Sequence, residues 1–281
     1  LTHDFFTQKR YEQKSIHKDA QEPLSVQVLL VHLLCLSLLT SLSCATTVPD
    51  EKTITVFAAS SLTEAFTQLK TGFEATYPDH RVELTFGGSQ ILRLQIENGA
   101  SADVFSSADV EHIGALKTRG LVLNDQPFAS NRLALIVPAN NPAGIKNLEQ
   151  LVRAHRIVLG SVHSPIGRYT DLFLTRLSEA WGPATVSTIR DRVVSREKNV
   201  RLVRAKVRLG VADAAIVYLS DTQHTDQIQS IDIPIRFNPR IQYVAARLSP
   251  KKSSQLWLEF LTTRPALEVL KQSGLEQVDT Q

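Results

Sequence analysis

The chain has 281 residues, 43% of them hydrophobic and 21% charged, with a formal net charge of +3. That composition excludes a wholly disordered or fibrous protein, and the length suits one large or two modest domains. The charge is too slight to imply nucleic acid by itself. Both cysteines, Cys35 and Cys44, lie in one N-terminal apolar segment, so nothing from residue 45 onward can form a disulfide or a cysteine-based metal site.

Residues 1–23 are polar, mixed in charge, and read as disordered. Leu24 to Leu42 is mostly Leu and Val, interrupted by Ser25, Gln27, His32, Ser37 and Thr40, and small residues follow at Ser41, Ser43, Cys44 and Ala45. An apolar centre followed by a small-residue site is the pattern of an export signal, here residues 1–45 with an N-terminal extension. Cleavage after Ala45 leaves a free extracytoplasmic protein. Leu42-Ser43-Cys44 also fits a lipoprotein signal, with Cys44 as the lipidated first residue, and an uncleaved anchor is the remaining alternative. Residues 46–52 read as a linker.

The rest alternates between strand and helix patterns. The apolar run Ile54–Ala58 predicts a strand, and Leu62, Ala65, Phe66, Leu69 and Phe73 share one face of the helix that follows. Ser61 with Glu64 three residues on reads as a capping box at that helix start. A strand over 81–86 turns through Gly87-Gly88-Ser89 into a helix over 90–98, and a strand over 103–106 leads to a helix over 110–119. A second series begins with a strand over 133–137 and a helix over 148–152. A strand over 157–159 follows, then a helix opened by Pro165-Ile166-Gly167 and ended by Gly182-Pro183. A helix over 200–209, strands over 214–218, 231–235 and 241–246, and helices over 254–262 and 265–271 complete the chain. This rhythm predicts an α/β fold of two lobes, each a mostly parallel sheet flanked by helices, with a ligand cleft between them. The expected boundaries are 53–129 for lobe 1, 130–238 for lobe 2, and 239–281 returning to lobe 1.

Chemistry concentrates where strands give way to helices. A helix N-terminus gathers free N–H groups and the positive end of the dipole, and binds anions without a charged side chain. Ser61, Ser89, Pro165-Ile166 and Asn199-Val200 each stand at such a junction, two in each lobe. Converging across a cleft, they would hold a small dianion by N–H and O–H donors alone.

Several of these stretches resemble a known family. Phe57-Ala58-Ala59-Ser60-Ser61-Leu62-Thr63 is similar to the opening motif of the periplasmic molybdate-binding proteins of ABC importers, a type II solute-binding protein family. The resemblance continues through Phe86-Gly87-Gly88-Ser89, the segment from Gln95 to Phe105, and Ser107-Ala108-Asp109. It extends to Pro165-Ile166-Gly167-Arg168-Tyr169, Asn199-Val200-Arg201 and the segment from Gly210 to Tyr218, and spans roughly residues 53–275. It implies two lobes joined by two crossing strands and closing on a tetrahedral oxyanion. Carried over motif by motif, it implies that Ser61 and Ser89 bind oxygens through hydroxyl and amide, Ile166 and Val200 through their amides, and Tyr218 through its hydroxyl. Ser60, which stands where Ala is frequent, is a further candidate donor or merely faces the turn. Ile166 replaces a common Ala and keeps the N–H. The metal of the anion would be reached only through its oxygens, with no direct protein ligand and no resident cofactor.

The expected function is therefore capture of molybdate or tungstate outside the cytoplasm for an ABC permease, by a monomer without enzymatic activity or nucleic-acid partner. The alternatives are another oxyanion such as sulfate, a small organic anion, or a serine hydrolase using Ser61 or Ser89 with His163. The basic series from Arg190 to Arg208 has no interleaved aromatic residues and reads as a solvated face or an anion-steering patch, with Arg168 and Lys198 the cations nearest the site in sequence. No nucleophile elbow, P-loop or dinucleotide fingerprint occurs.

Overall fold

The computed structural model describes residues 51–223 and 225–278. The expected export signal, with Cys44, and residues 46–50 of the expected linker lie outside the described residues.

The strand and helix patterns fold in order as β1 (Thr53–Ala59), a 3-10 turn (Ser60–Leu62), α1 (Thr63–Thr76), β2 (Arg81–Gly87), α2 (Ser89–Glu97), β3 (Val104–Ser107), α3 (Val110–Thr118) and β4 (Asn124–Asn131). There follow β5 (Leu133–Pro138), a 3-10 turn (Leu148–Arg153), β6 (Ile157–Gly160), α4 (Pro165–Trp181), α5 (Pro183–Asp191), β7 (Val193–Glu197), α6 (Val200–Arg208) and β8 (Ala214–Tyr218). A third 3-10 turn (Leu219–Thr222), β9 (Ile228–Asp232), β10 (Ile241–Arg247), α7 (Lys252–Phe260) and α8 (Arg264–Gln272) end the fold.

Two sheets form, ordered β2-β1-β3-β10-β4 and β7-β6-β8-β5-β9. In the first, β2 and β3 pair parallel with β1, while β10 pairs antiparallel with both β3 and β4. In the second, β7 and β8 pair parallel with β6, while β5 pairs antiparallel with both β8 and β9. Each sheet thus has a single reversed strand in the same place, a structural repeat that the sequence does not display. The chain passes from the first sheet to the second at Arg132, between β4 and β5, and returns over 233–240, between β9 and β10. Asn238 ties the two passages together. Its Oδ1 accepts from the Leu133 N–H at 2.6 Å, and its Nδ2 donates to the carbonyls of Leu133 and Ile233, both at 3.1 Å.

The period-2 alternation of the central strands places helices on both faces of the first sheet. Val56, Ala58 and Val104 point into the larger core, where Phe66, Phe73, Trp257 and Phe260 lie. Phe73 meets Trp257 and Phe260 edge-on, at ring-centroid distances of 5.2 and 5.4 Å. The intervening Phe57 and Phe105, which are register partners, point the other way, onto Leu92 and Ile96 of α2 and Ile113 and Leu116 of α3.

Several elements depart from the sequence expectation. β4 contains Pro127, which reads as a breaker, but β4 is an edge strand and its ladder shifts register beside Val244, the partner of Pro127. Edges and bulges are where a strand tolerates proline. Gly182-Pro183 ends α4 as expected, and Pro183 also opens α5, since proline suits the first helical position. β7 is an edge strand with no buried residue, so it carries no apolar alternation to read. The expected strand at 231–235 lies three residues earlier, as β9, and Ile235 is exposed.

Candidate functional site

The carboxyl ends of the parallel strands face the junction of the two sheets, where ligands of open α/β sheets bind. β1 delivers Ser60 and Ser61, β2 delivers Gly88 and Ser89, β6 leads to the start of α4, β7 to the start of α6, and β8 ends at Tyr218. These residues line one cavity of about 10 Å³, together with Ala59, Ala108 and Ser164. Its volume is below the roughly 300–1,000 Å³ usual for organic ligands of drug size. All five predicted ligand residues (Ser61, Ser89, Ile166, Val200 and Tyr218) and Ser60 are brought together and buried. His163 is exposed and absent from the lining, and no histidine lines the cavity.

Local sequence explains the arrangement. Ser164 caps α4 by accepting from the Gly167 N–H at 3.2 Å, and Asn199 caps α6 by accepting from the Leu202 N–H at 3.1 Å. Each cap satisfies the third amide of its helix and leaves the earlier ones, including Ile166 and Val200, to a ligand. At the start of α2, Gly88 O takes the amides of Ile91 and Leu92, at 2.8 and 3.1 Å, and Ser89 heads the helix. Glycine is required at Gly88 by space. A Cβ there would stand 2.5 Å from the carbonyl oxygen of Lys198, on the opposite lobe. At Gly167 a Cβ would run into the carbonyl of Ser161, which folds the preceding loop tightly onto α4.

The hydroxyls have definite partners. Ser89 Oγ accepts from the Ala108 N–H at 3.2 Å. Ser61 Oγ accepts from Tyr243 Oη at 3.0 Å. This overturns the capping-box expectation: α1 begins at Thr63 with no side-chain cap, and Glu64 instead pairs with Arg201 at 2.6 and 2.8 Å. Ser61 points toward β10, not back over its own helix, because Tyr243 gives its oxygen a buried partner there. Tyr218 Oη, by contrast, is buried and has no partner. Burial first, and then the neighbouring Tyr243, holds the Tyr218 phenol well above its usual pKa, so it keeps its proton.

No charged side chain lines the cavity, but charges bridge the lobes at its rim. Glu64 with Arg201 is one bridge, and Arg168 with Asp109 (3.3 Å) and Glu111 is another. Gln90 Nε2 adds a bond to Lys198 O at 2.6 Å. Arg168 is therefore engaged by two carboxylates, while the Lys198 side chain is exposed. Among the described residues no cluster of His, Cys, Asp or Glu is arranged to hold a metal ion. The cavity thus offers neutral donors in abundance, no cation and no carboxylate, which is a chemistry for a desolvated anion.

Tyr243 and the Ala108 amide were not found from sequence. The only local sign of Tyr243 is a hydroxyl-bearing ring on an otherwise apolar strand face with Ile241 and Ala245.

A family described as bacterial extracellular solute-binding protein matches residues 54–276. The chain belongs to that family. Molybdate-binding protein ModA of Mycobacterium tuberculosis is 32% identical to it over 229 residues, covering 79% of this chain and 84% of the relative. Among solved structures, the substrate-binding domain of a putative molybdenum ABC transporter from Clostridium difficile superposes with a TM-score of 0.63 at 26% identity, covering 81% of this chain and 99% of that one. The periplasmic molybdate-binding protein of Azotobacter vinelandii gives a TM-score of 0.70 at 21% identity, covering 81% and 100%, and so bears on the fold alone.

Proposed function

We propose that this solute-binding protein captures molybdate, and tungstate equally, and delivers it to the membrane permease of an ABC importer. The observation that carries the reading is the cavity itself: small, closed by both lobes, lined by buried hydroxyls and helix-start amides, and free of charged side chains. Ser61, Ser89 and Tyr218 donate through their hydroxyls and Ile166 and Val200 through their amides, while Ser60 is a further donor within the same lining. The Mycobacterium tuberculosis relative named above is a molybdate-binding protein, and the match covers 84% of its length.

The physics of the donor set favours a fully deprotonated tetrahedral dianion. Each donor that fails to reach an oxygen is left buried and unsatisfied, at about 1–3 kcal/mol. The fixed spacing therefore selects by anion radius: molybdate and tungstate, nearly equal in size, bind alike, and smaller sulfate leaves donors unmatched. Neutral donors also let the anion go once the lobes part, as delivery requires. Closure brings Glu64 to Arg201 and Gln90 to Lys198 O, and the closed face is what a permease distinguishes from the open one. The protein acts as a monomer without catalysis. It is exported by the segment 1–45, either free after cleavage at Ala45 or anchored through a lipid on Cys44.

The test is calorimetric titration with molybdate, tungstate, sulfate and phosphate. Tight one-to-one binding of the first two alone supports the proposal. Equal affinity for sulfate would replace molybdate with the smaller anion as the cargo. Ester hydrolysis abolished by Ser61→Ala, without anion binding, would establish an enzyme instead.

A further inference from the structure

Hydroxyl groups both donate and accept, so a cavity lined by Ser61, Ser89 and Tyr218 is not donor-only by composition. What makes it so must be the groups behind the hydroxyls. The chain behind Ser61 begins at a bond whose direction is fixed, because one partner is a backbone amide. The Arg132 N–H donates to Asn131 Oδ1 at 2.9 Å, which orients the Asn131 amide. Asn131 Nδ2 must then face Ser220 Oγ and Tyr243 Oη, at 2.8 and 3.3 Å, and it can only donate to them. Tyr243 Oη, accepting from Asn131, directs its own proton to Ser61 Oγ at 3.0 Å. Ser61 therefore cannot donate back to Tyr243, and its proton is left for the cavity. Tyr243 is fully buried, and burial above all holds its pKa far above the usual phenol range, so the relay carries no charge. Ser89 reaches the same state in one step, through the Ala108 N–H.

We propose that Tyr243 and Asn131 are positioning residues that set the polarity of Ser61, and that through them the site rejects oxyanions still carrying a proton. An anion with an O–H group needs an acceptor in the cavity. With the relay intact Ser61 turns its proton, and not a lone pair, toward the anion. Asn131 also stands at the end of β4, one residue before the chain enters the second sheet, and its Ser220 partner follows β8. The relay therefore joins the passage between lobes to the hydroxyl that meets the ligand. This inference rests on the oxyanion-binding reading above, and deepens it from which atoms bind to which protonation state they accept.

Tyr243→Phe removes the donor and keeps the ring beside Phe128 and Tyr218, at centroid distances of 6.2 and 6.0 Å. Asn131→Asp removes the relay's first donor and leaves the tyrosine in place. The probes are molybdate together with selenate and arsenate at mildly alkaline pH, a pair of comparable size of which only arsenate carries a proton. In the wild type, molybdate binds tightly and selenate competes better than arsenate. In either variant the molybdate affinity falls by about tenfold, and the selenate-to-arsenate preference shrinks by a similar factor, because the Ser61 proton is no longer held toward the cavity and its oxygen can face the anion. Unchanged preference in both variants, whether or not molybdate affinity falls, overturns the relay and leaves the oxyanion site standing. Wild-type protein that takes up none of the three anions overturns both. Thermal melts of the ligand-free variants confirm that each is folded before its selectivity is compared.

Discussion

Tyr218→Phe should stabilise the free protein and weaken its grip on the anion. The Tyr218 ring is packed among Tyr169 and Tyr243, at centroid distances of 6.5 and 6.0 Å, and phenylalanine preserves those contacts. Only the hydroxyl is lost, and in the closed cavity no protein group pairs with it. A buried unsatisfied polar group costs about 1–3 kcal/mol. Its removal, less the small void left by one oxygen, should raise ligand-free stability by about 1 kcal/mol. For a folded region of this size that corresponds to roughly 2–4 °C in melting temperature. In the complex the same hydroxyl donates to a charged acceptor, a bond worth about 1.5–3 kcal/mol, so the molybdate affinity should fall about 10- to 150-fold. Differential scanning calorimetry of the free protein and isothermal titration of the complex read the two effects separately. A lower ligand-free melting temperature would show that the hydroxyl is satisfied in solution. An unchanged affinity would show that it does not face the anion. Either result refutes the reasoning.

Gly88→Ala places a Cβ against Lys198 O in the closed form, an overpacking of about 1–3 kcal/mol, and should weaken molybdate binding about 5- to 150-fold in a titration. Glu64→Gln breaks the interlobe pair with Arg201, whose side chains are 45% and 35% exposed, so the loss should stay below about 1 kcal/mol and shrink with added salt. Titrations at low and high ionic strength check this. Asp221 is buried, and burial, only partly opposed by Arg204, pushes its carboxyl up to about 7. A raised carboxylate pKa means stability that is fully present below the unfolded value of about 4 and lost as pH rises through the folded one. Melting temperature should therefore decline across that window in the wild type, and Asp221→Asn should flatten the decline.

The sites legible in the sequence were those that a local pattern encodes. At Ser61, Ser89, Ile166 and Val200 an apolar run breaks and a helical period begins within a few residues, and each junction lies at the end of a parallel strand. What stayed hidden depends on residues distant in sequence. Ser61 looked like a cap for its own helix, yet its partner is Tyr243, 182 residues away. Glu64, its supposed capping companion, reaches Arg201 on the other lobe instead. β4 and β7 were invisible for a different reason. Both are edge strands, and an edge tolerates proline or polar faces that would disqualify a central strand. Tyr218 could be placed at a strand end from its surroundings, but its unpartnered hydroxyl is a property of the closed cavity.

The central claim is that a cavity of neutral donors binds a deprotonated tetrahedral dianion of one size. It is tested most directly by isothermal titration of the protein with molybdate, followed by sulfate and phosphate under the same conditions. One saturable molybdate site per chain, with sulfate and phosphate much weaker, is the expected result. No heat and no thermal stabilisation with molybdate at concentrations where sulfate or phosphate binds would contradict it.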